Sequence, residues 1–359
     1  MDDTLIISSS PHVSANNSTR KIMLDVIIAM IPAIIAATVI FGYLVLVNCV
    51  VCAAACYGFE MLYEVLFNKK RAKDCSANDF SSIVTGIMLA LNLPTYVSIW
   101  GWNIKSNDAV VFSFDMILVC LLGSLFAIWI VKMLFGGIGK NFANPALAAR
   151  IFLFLAFATA FKAVFATDTW GQNVTTGATW LMTDRLAPIT KSDLIDMLLG
   201  TRGSVAVGET SMIALALGYI YLCVRKVIDW RLPAIVIVST TLFCLVFDGL
   251  IENKLTGTAL LYNMLAHVMS GGMVFGAIFM VTDYTTCPNT FWGKFIYAIG
   301  VGLITALIRI YGSYPEGVSF AILIMNIVTP LLDKYIVPRP FGYVKPKKKS
   351  PEAKKAEVK

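Results

Sequence analysis

Long apolar runs recur along this chain, at about 22 to 41, 43 to 67, 109 to 134, 146 to 166, 233 to 247, 295 to 310 and 318 to 336. A helix needs about 20 such residues to cross roughly 30 Å of hydrocarbon. The runs are continuous, whereas the strands of a membrane barrel alternate over about ten residues, so a β-barrel is excluded. With shorter runs near 78 to 94, 209 to 224 and 258 to 281, the pattern predicts an all-α polytopic membrane protein of about ten transmembrane helices.

Composition agrees. Of 359 residues, 58% are hydrophobic and 14% charged, with a mean hydropathy of +0.75; soluble chains carry charges nearer a quarter. The net charge of +7 is concentrated: Lys345 to Lys359 holds seven lysines against Glu352 and Glu357. A basic tail after a membrane helix fits the anionic surface of the lipid bilayer, and no nucleic-acid partner is expected. Cys49, Cys52 and Cys56 share one face of an apolar run, where free cysteines pack as small hydrophobes. With His12 and His267 the only histidines, no metal site is expected.

Taken in order, residues 1 to 21 form a polar segment without a secretory-signal pattern. The first membrane half, 22 to 166, holds five spans. Its third ends early at Asn92-Leu93-Pro94 and reads as a broken helix. A polar interval at 167 to 208 leads to the second half, 209 to 337, whose eighth span breaks at Ser270-Gly271-Gly272, and to the basic tail, 338 to 359. With the N-terminus inside, inner loops hold 22 of the 29 Lys and Arg and outer loops seven. That asymmetry predicts cytoplasmic termini and an outer 167 to 208 loop. Ile83 to Thr95 aligns with Met273 to Thr285 at an offset of 190, in oppositely directed broken helices, which points to two inverted repeats.

Ionisable residues in these runs are functional candidates by default. Asp25, Arg150, Asp283 and Arg309 fall near span ends and are expected at the interface, within reach of water. Glu60, Glu64 and Asp115 sit deeper; ion or proton access is their functional reading, and pairing inside a polar bundle interior is the expectation.

Two polar stretches carry chemistry. Asn173-Val174-Thr175-Thr176-Gly177-Ala178-Thr179-Trp180 offers three hydroxyls, and Gly177-Ala178 removes bulk beside Thr179, so a large group can reach that oxygen. Gly136-Gly137-Ile138-Gly139-Lys140-Asn141-Phe142-Ala143-Asn144-Pro145 leads glycines into a helix start, predicting exposed N–H groups suited to a phosphate or a polar ring edge.

The chain resembles a known family over nearly its whole length: the D subunit of the Rnf ion-translocating ferredoxin:NAD+ oxidoreductase complex, related to the B subunit of the sodium-translocating NADH:quinone reductase. The likeness rests on Ile22-Met23-Leu24-Asp25-Val26 with Ile31-Pro32-Ala33, Ser82 to Gly86 with Leu91-Asn92-Leu93-Pro94, the Gly136 to Arg150 segment, Thr176-Gly177-Ala178-Thr179, Thr282-Asp283, and Tyr314 to Val318 through Asn326 to Pro330 and Asp333. Two positions depart from the family pattern: Asn173 stands where Asp is usual, and Tyr284 where Pro is usual.

The resemblance implies a fold similar to that of urea transporters and FMN joined through its phosphate to the Thr179 hydroxyl by a dedicated flavin transferase, with Thr176, Gly177 and Ala178 completing the attachment motif. It also implies a possible second, noncovalent riboflavin near Asn141 and Asn144, whose amides can donate and accept. The expected function is that of a membrane flavoprotein subunit. It would relay electrons between reduced ferredoxin and NAD+, coupled to Na+ or H+ translocation, with the other complex subunits as partners and the bacterial inner membrane as location. No catalytic side chain is assigned to this chain, and no activity alone is expected. The competing reading is a stand-alone channel or secondary transporter with the same inverted repeat, which does not need the Thr179 motif.

Overall fold

The computed structural model describes residues 18–69, 71, 75–106, 109–162, 165–169, 172–176, 189–200, 207–209, 211–252, 257–312 and 317–337. The expected polar segment before residue 18 and the basic tail from 338 lie outside the described residues, as do residues 170, 171, 177–188 and 201–206 of the 167 to 208 interval.

Helix α1, Thr19–Phe41, begins where the Ser18 hydroxyl accepts from the Lys21 N–H and stops at Gly42, whose φ of 86° admits no ordinary side chain. Helix α2, Leu44–Leu66, returns beside it. A single turn, Ser76–Asp79, leads into α3, Ser81–Leu91. Strands β1, Asn103–Ser106, and β2, Ala109–Ser113, form an antiparallel hairpin. The Ser113 hydroxyl then caps α4, Phe114–Leu125, by accepting from Met116 N–H at 3.1 Å. This span continues to Met133 in wider turns, as the Leu134 N–H bond to the Trp129 carbonyl shows.

Helix α5, Pro145–Ala156, breaks at Phe157 before the short α6, Ala158–Lys162. Strands β3, Phe165–Thr169, and β4, Gln172–Thr176, pair antiparallel. Helix α7, Lys191–Leu199, carries a Thr190/Asp193 capping box. Then follow α8, Met212–Val224, and α9, Arg231–Cys244, which continues to Glu252. Helices α10, Thr258–Met269, and α11, Met273–Phe275 continuing to Met280, meet at a 57° bend over Ser270-Gly271-Gly272. Helices α12, Phe291–Tyr311, and α13, Gly317–Tyr335, complete the order.

Six of these are long and apolar enough to cross a membrane: α1, α2, α4 and α9 with their continuations, α12 and α13. The bent α10–α11 pair makes a seventh. Helices α3, α5 and α8 have 11, 12 and 13 residues, about 17 to 20 Å at 1.5 Å per residue. Of the ten apolar segments expected, with the third and eighth broken, six or seven are therefore long enough to span among the described residues, and three others are helical but short. The span expected at 146 to 166 is interrupted at Phe157, and that expected from 109 starts at Phe114, because Ala109–Ser113 is strand. The two hairpins also qualify the all-α expectation, although each expected span contains a helix.

Burial follows a simple plan. Nearly every residue of α3 and α11 is buried, so the two short broken helices form the centre. Long helices surround them and turn Ile35, Val39, Val50, Leu242 and Ile327 outward, the surface expected against lipid. Small residues set the closest approaches: a Cβ on Gly86 of α3 would fall 2.6 Å from the Cys52 carbonyl oxygen of α2. Cys49, Cys52 and Cys56 are buried together on α2, as their spacing implied.

The buried charges have polar partners, some of them counter-ions and some backbone groups. Lys132 bridges to Glu60 and donates to Ser81 Oγ at 2.8 Å. Glu64 accepts from the Ser76 N–H at 2.6 Å. Asp115 Oδ2 takes the backbone N–H groups of Ile99, Trp100 and Gly101 at 2.9, 3.0 and 3.0 Å. Asp25 pairs with the half-exposed Arg225 and accepts from Tyr221. Three residues expected within reach of water are buried: Asp25, Arg150 and Arg309. Arg150 donates from Nη1 to Asn92 Oδ1 at 2.8 Å and to Ser319 Oγ at 3.0 Å, and from Nη2 to Glu209 Oε1 at 3.3 Å, clamping the first half to the second. The Arg309 guanidinium donates to the backbone carbonyls of His267, Ser270 and Gly271, at the break between α10 and α11.

Candidate functional site

One end of the bundle opens into a cleft lined mainly by apolar side chains. Its walls come from both halves. Helix α1 contributes Met23 and Val26, α3 contributes Val84, Thr85 and Met88, and α11 contributes Ile278 and Phe279. Polar groups converge on this apolar slot: Ser81 and Lys132 on one side, Asn141 and Asn144 from the glycine-rich turn, and Thr282, Asp283 and Thr285 after α11.

The turn has this shape because Gly136, Gly137 and Gly139 hold φ of 106°, 88° and 86°, where a side chain is strained. It delivers Asn144 to the N-cap of α5, where Oδ1 accepts from the N–H groups of Ala146 and Leu147 at 3.1 and 3.4 Å. Two sequence readings are refined by this. The first N–H groups of α5 are occupied by Asn144 rather than open to a phosphate. The Asn144 oxygen is committed, leaving its Nδ2 end to serve a ligand. Asn141 differs, because its Oδ1 is buried and has no hydrogen-bond partner among the described residues. A buried amide oxygen facing an apolar slot calls for an N–H donor from whatever fills the slot.

Asp283, expected at the interface, lies on the rim of this cleft. Its Oδ1 accepts from the Thr285 N–H and Oγ1 at 3.2 and 3.1 Å. Burial pushes its carboxyl above the ordinary 3.8, against those two hydrogen bonds. Sequence reasoning did not place Ser81, Lys132 or Thr285 at this site. The aligned broken helices were the available signal, since the N-terminal part of α3 and the C-terminal part of α11 line the same cleft.

Thr176, the one described residue of the threonine motif, lies elsewhere. Thr176 closes β4 opposite Phe165, and β3 lies beside β2. Strand β2 runs into the start of α4, while Lys132, near the other end of that span, lines the cleft. About 20 residues of helix, close to 30 Å, lie between. The strand leading to the motif is thus at the end of the bundle opposite the cleft. Gly177, Ala178 and Thr179 lie outside the described residues.

Comparison with known proteins follows the same lines. Residues 6–342 match the model of the NQR2, RnfD, RnfE family. The chain is 37% identical over 350 residues to the D subunit of the Na(+)-translocating ferredoxin:NAD(+) oxidoreductase complex of Acetobacterium woodii, covering 96% of this chain and 98% of that one. It is 35% identical over 347 residues to the D subunit of the proton-translocating ferredoxin:NAD(+) oxidoreductase complex of Clostridium ljungdahlii, covering 94% and 96%. With the D subunit of the ion-translocating oxidoreductase complex of Actinobacillus succinogenes it shares 30% over 372 residues, covering 94% and 98%.

Proposed function

The chain belongs to the NQR2, RnfD, RnfE family, and from that membership we propose that it is the D-type membrane subunit of an ion-translocating ferredoxin:NAD+ oxidoreductase, relaying electrons through FMN esterified to Thr179. The observation that carries this reading is Thr176-Gly177-Ala178-Thr179, whose first residue ends β4, in a chain matching such D subunits end to end. Relatives named for Na+ and for protons stand at similar identity, so the coupling ion in this reading is Na+ or H+. Its partners are the other subunits of the complex and the flavin transferase that installs FMN. It lies in the bacterial inner membrane with both termini cytoplasmic and Thr179 outside, the orientation that the 22 to seven division of cations favours.

The cleft is read as the seat of the second, noncovalent flavin. A bound flavin supplies one- and two-electron redox chemistry. The chain's own part is positional. Asn141 and Asn144 would hold its polar edge through their amides, and Val84, Met88, Ile278 and Phe279 would keep water from it.

The two halves are read as inverted repeats of the urea-transporter kind. Supporting this, Cys56 and Glu60 on α2 recur as Cys244 and Asp248 on α9 and its continuation, all four fully buried. A buried cation from a long helix of each half, Lys132 or Arg309, meets the broken helix beside it.

Intact mass of the denatured subunit tests the central assignment. Wild type is expected to carry one FMN less water, and Thr179→Val to carry none. An unmodified wild-type subunit from its native host removes the covalent relay from the proposal.

A further inference from the structure

Beside the cleft, an open depression lies where α1, α2 and the start of α3 meet, lined by Arg20, Tyr57, Asn78, Phe80 and Ile83. Arg20 stands in the first turn of α1, its guanidinium over the Phe80 ring at 4.7 Å from the centroid. Phe80 holds a φ of 65°, left-handed backbone that bulky residues rarely adopt. Tyr57 on α2 donates its hydroxyl to Asn78 Oδ1 at 3.3 Å.

The field in this depression is positive. Helices α1 and α3 both begin here, neither has an acidic residue in its first turn, and no side chain caps α3; such helix ends favour anions. Arg20 is exposed and has no counter-ion among the described residues. Lys21, Lys69 and Arg71 are exposed around the same ends of α1 and α2. Of the acids at this end, Glu60 is paired with Lys132, Glu64 accepts from the Ser76 N–H, and Asp79 is half-buried. From Arg20 an apolar stripe runs down α1 through Leu24, Ile28, Ile31 and Ile35, all exposed and on one helical face. An anion held at Arg20 thus has hydrocarbon beneath it, which suits a phospholipid and not a free ion.

We propose that Arg20, Tyr57 and Asn78 bind the phosphate of an anionic phospholipid whose acyl chains lie along the Leu24 to Ile35 stripe. The guanidinium, backed by the Phe80 ring, presents its N–H edges to phosphate oxygens, and Tyr57 and Asn78 place a hydroxyl and an amide beside it. In the orientation proposed above this end faces the cytoplasm, the leaflet where anionic lipid is concentrated. The inference rests on reading the chain as a membrane subunit and is independent of its flavins.

The test titrates the whole complex, purified and delipidated in detergent, with radiolabelled dioleoylphosphatidylglycerol. Wild type is expected to show a tight site whose affinity falls about tenfold in Arg20→Ala, and dioleoylphosphatidylcholine, which carries no net charge, should compete poorly for it. Equal binding by wild type and Arg20→Ala overturns the proposal. Displacement of the lipid by an equal concentration of inorganic phosphate marks a free-phosphate site and overturns it as well. So does loss of another subunit from the Arg20→Ala complex, seen by mass, which marks this face as a protein interface. If Arg20→Ala does not accumulate, Tyr57→Phe, which removes one oxygen, carries the test: binding weakened about threefold supports the site, and unchanged binding overturns it. Intact mass of the same samples reads the flavin separately, so a subunit without FMN leaves the lipid result standing.

Discussion

Lys132, near the end of the α4 span, and Glu60, on α2, form an ion pair whose side chains are 2% and 0% exposed. Ser81 at the start of α3 takes a second hydrogen bond from the same ammonium. Breaking a buried pair from one side leaves an uncompensated charge, at about 3–5 kcal/mol. Lys132→Met is expected to destabilise the detergent-solubilised subunit by that amount in thermal or chemical unfolding. Adding Glu60→Gln should recover most of the loss, since both charges are then absent.

Asn141 Oδ1 has no partner among the described residues, so its replacement is expected to spare the fold and weaken a ligand. Asn141→Ala should lower noncovalent flavin, measured in the extract of denatured protein, with affinity reduced about tenfold. The covalent adduct at Thr179 should be unchanged by intact mass. Unaltered noncovalent flavin removes Asn141 from the cleft's recognition set.

Asp115 gathers three successive N–H groups on one oxygen, and charge-assisted bonds of this kind rank among the strong ones. Asp115→Ala is expected to release the segment before β1. Hydrogen exchange at Ile99, Trp100 and Gly101 should accelerate about a hundredfold, equivalent to about 3 kcal/mol of local stability.

Burial pushes the Cys287 thiol, in the turn after α11, up to about 11, with Lys294 pulling the other way. Only the thiolate reacts with alkylating agents. The alkylation rate at Cys287, followed by mass spectrometry of its peptide, should keep rising about tenfold per pH unit past the ordinary 9.0 and level off near 11. A plateau near 9 contradicts this.

Gly86 lets α3 lie directly on the backbone of α2, with no room for one more carbon. Gly86→Ala is expected to force the helices apart, destabilising by about 1–3 kcal/mol. Because α3 also lines the cleft, noncovalent flavin should fall with it, whereas Gly58→Ala on α2, where a Cβ meets open space, should be neutral in both measurements.

What was legible in the sequence was local. The break at Ser270-Gly271-Gly272 is written in its glycines, and α11 resumes at Met273 as the apolar pattern requires. The pairing of Glu60 and Asp115 followed from their depth within apolar runs. Arg309 was misplaced because, although α12 is long enough to span, its guanidinium turns inward to carbonyls at the α10–α11 break; Arg150 was misplaced because distance along a run stands for depth only when the helix spans the membrane. Helix α5 is 12 residues long, and the partners of Arg150 come from 58, 59 and 169 positions away. The two hairpins were missed because strands of four or five residues beside apolar helices leave little pattern of their own. Asn144 was identified by type, yet its role as the α5 cap depends on backbone geometry that three glycines upstream create.

The Arg150 clamp also bears on how the chain is made. Ribosomes add about 5–20 residues per second, so the 59 positions from Arg150 to Glu209 take about 3 to 12 s. During that interval α5 exists with its guanidinium and Asn92, both already synthesised, while the carboxylate and Ser319 have yet to emerge. The first half is therefore born carrying a buried positive charge ahead of the carboxylate it meets in the folded chain.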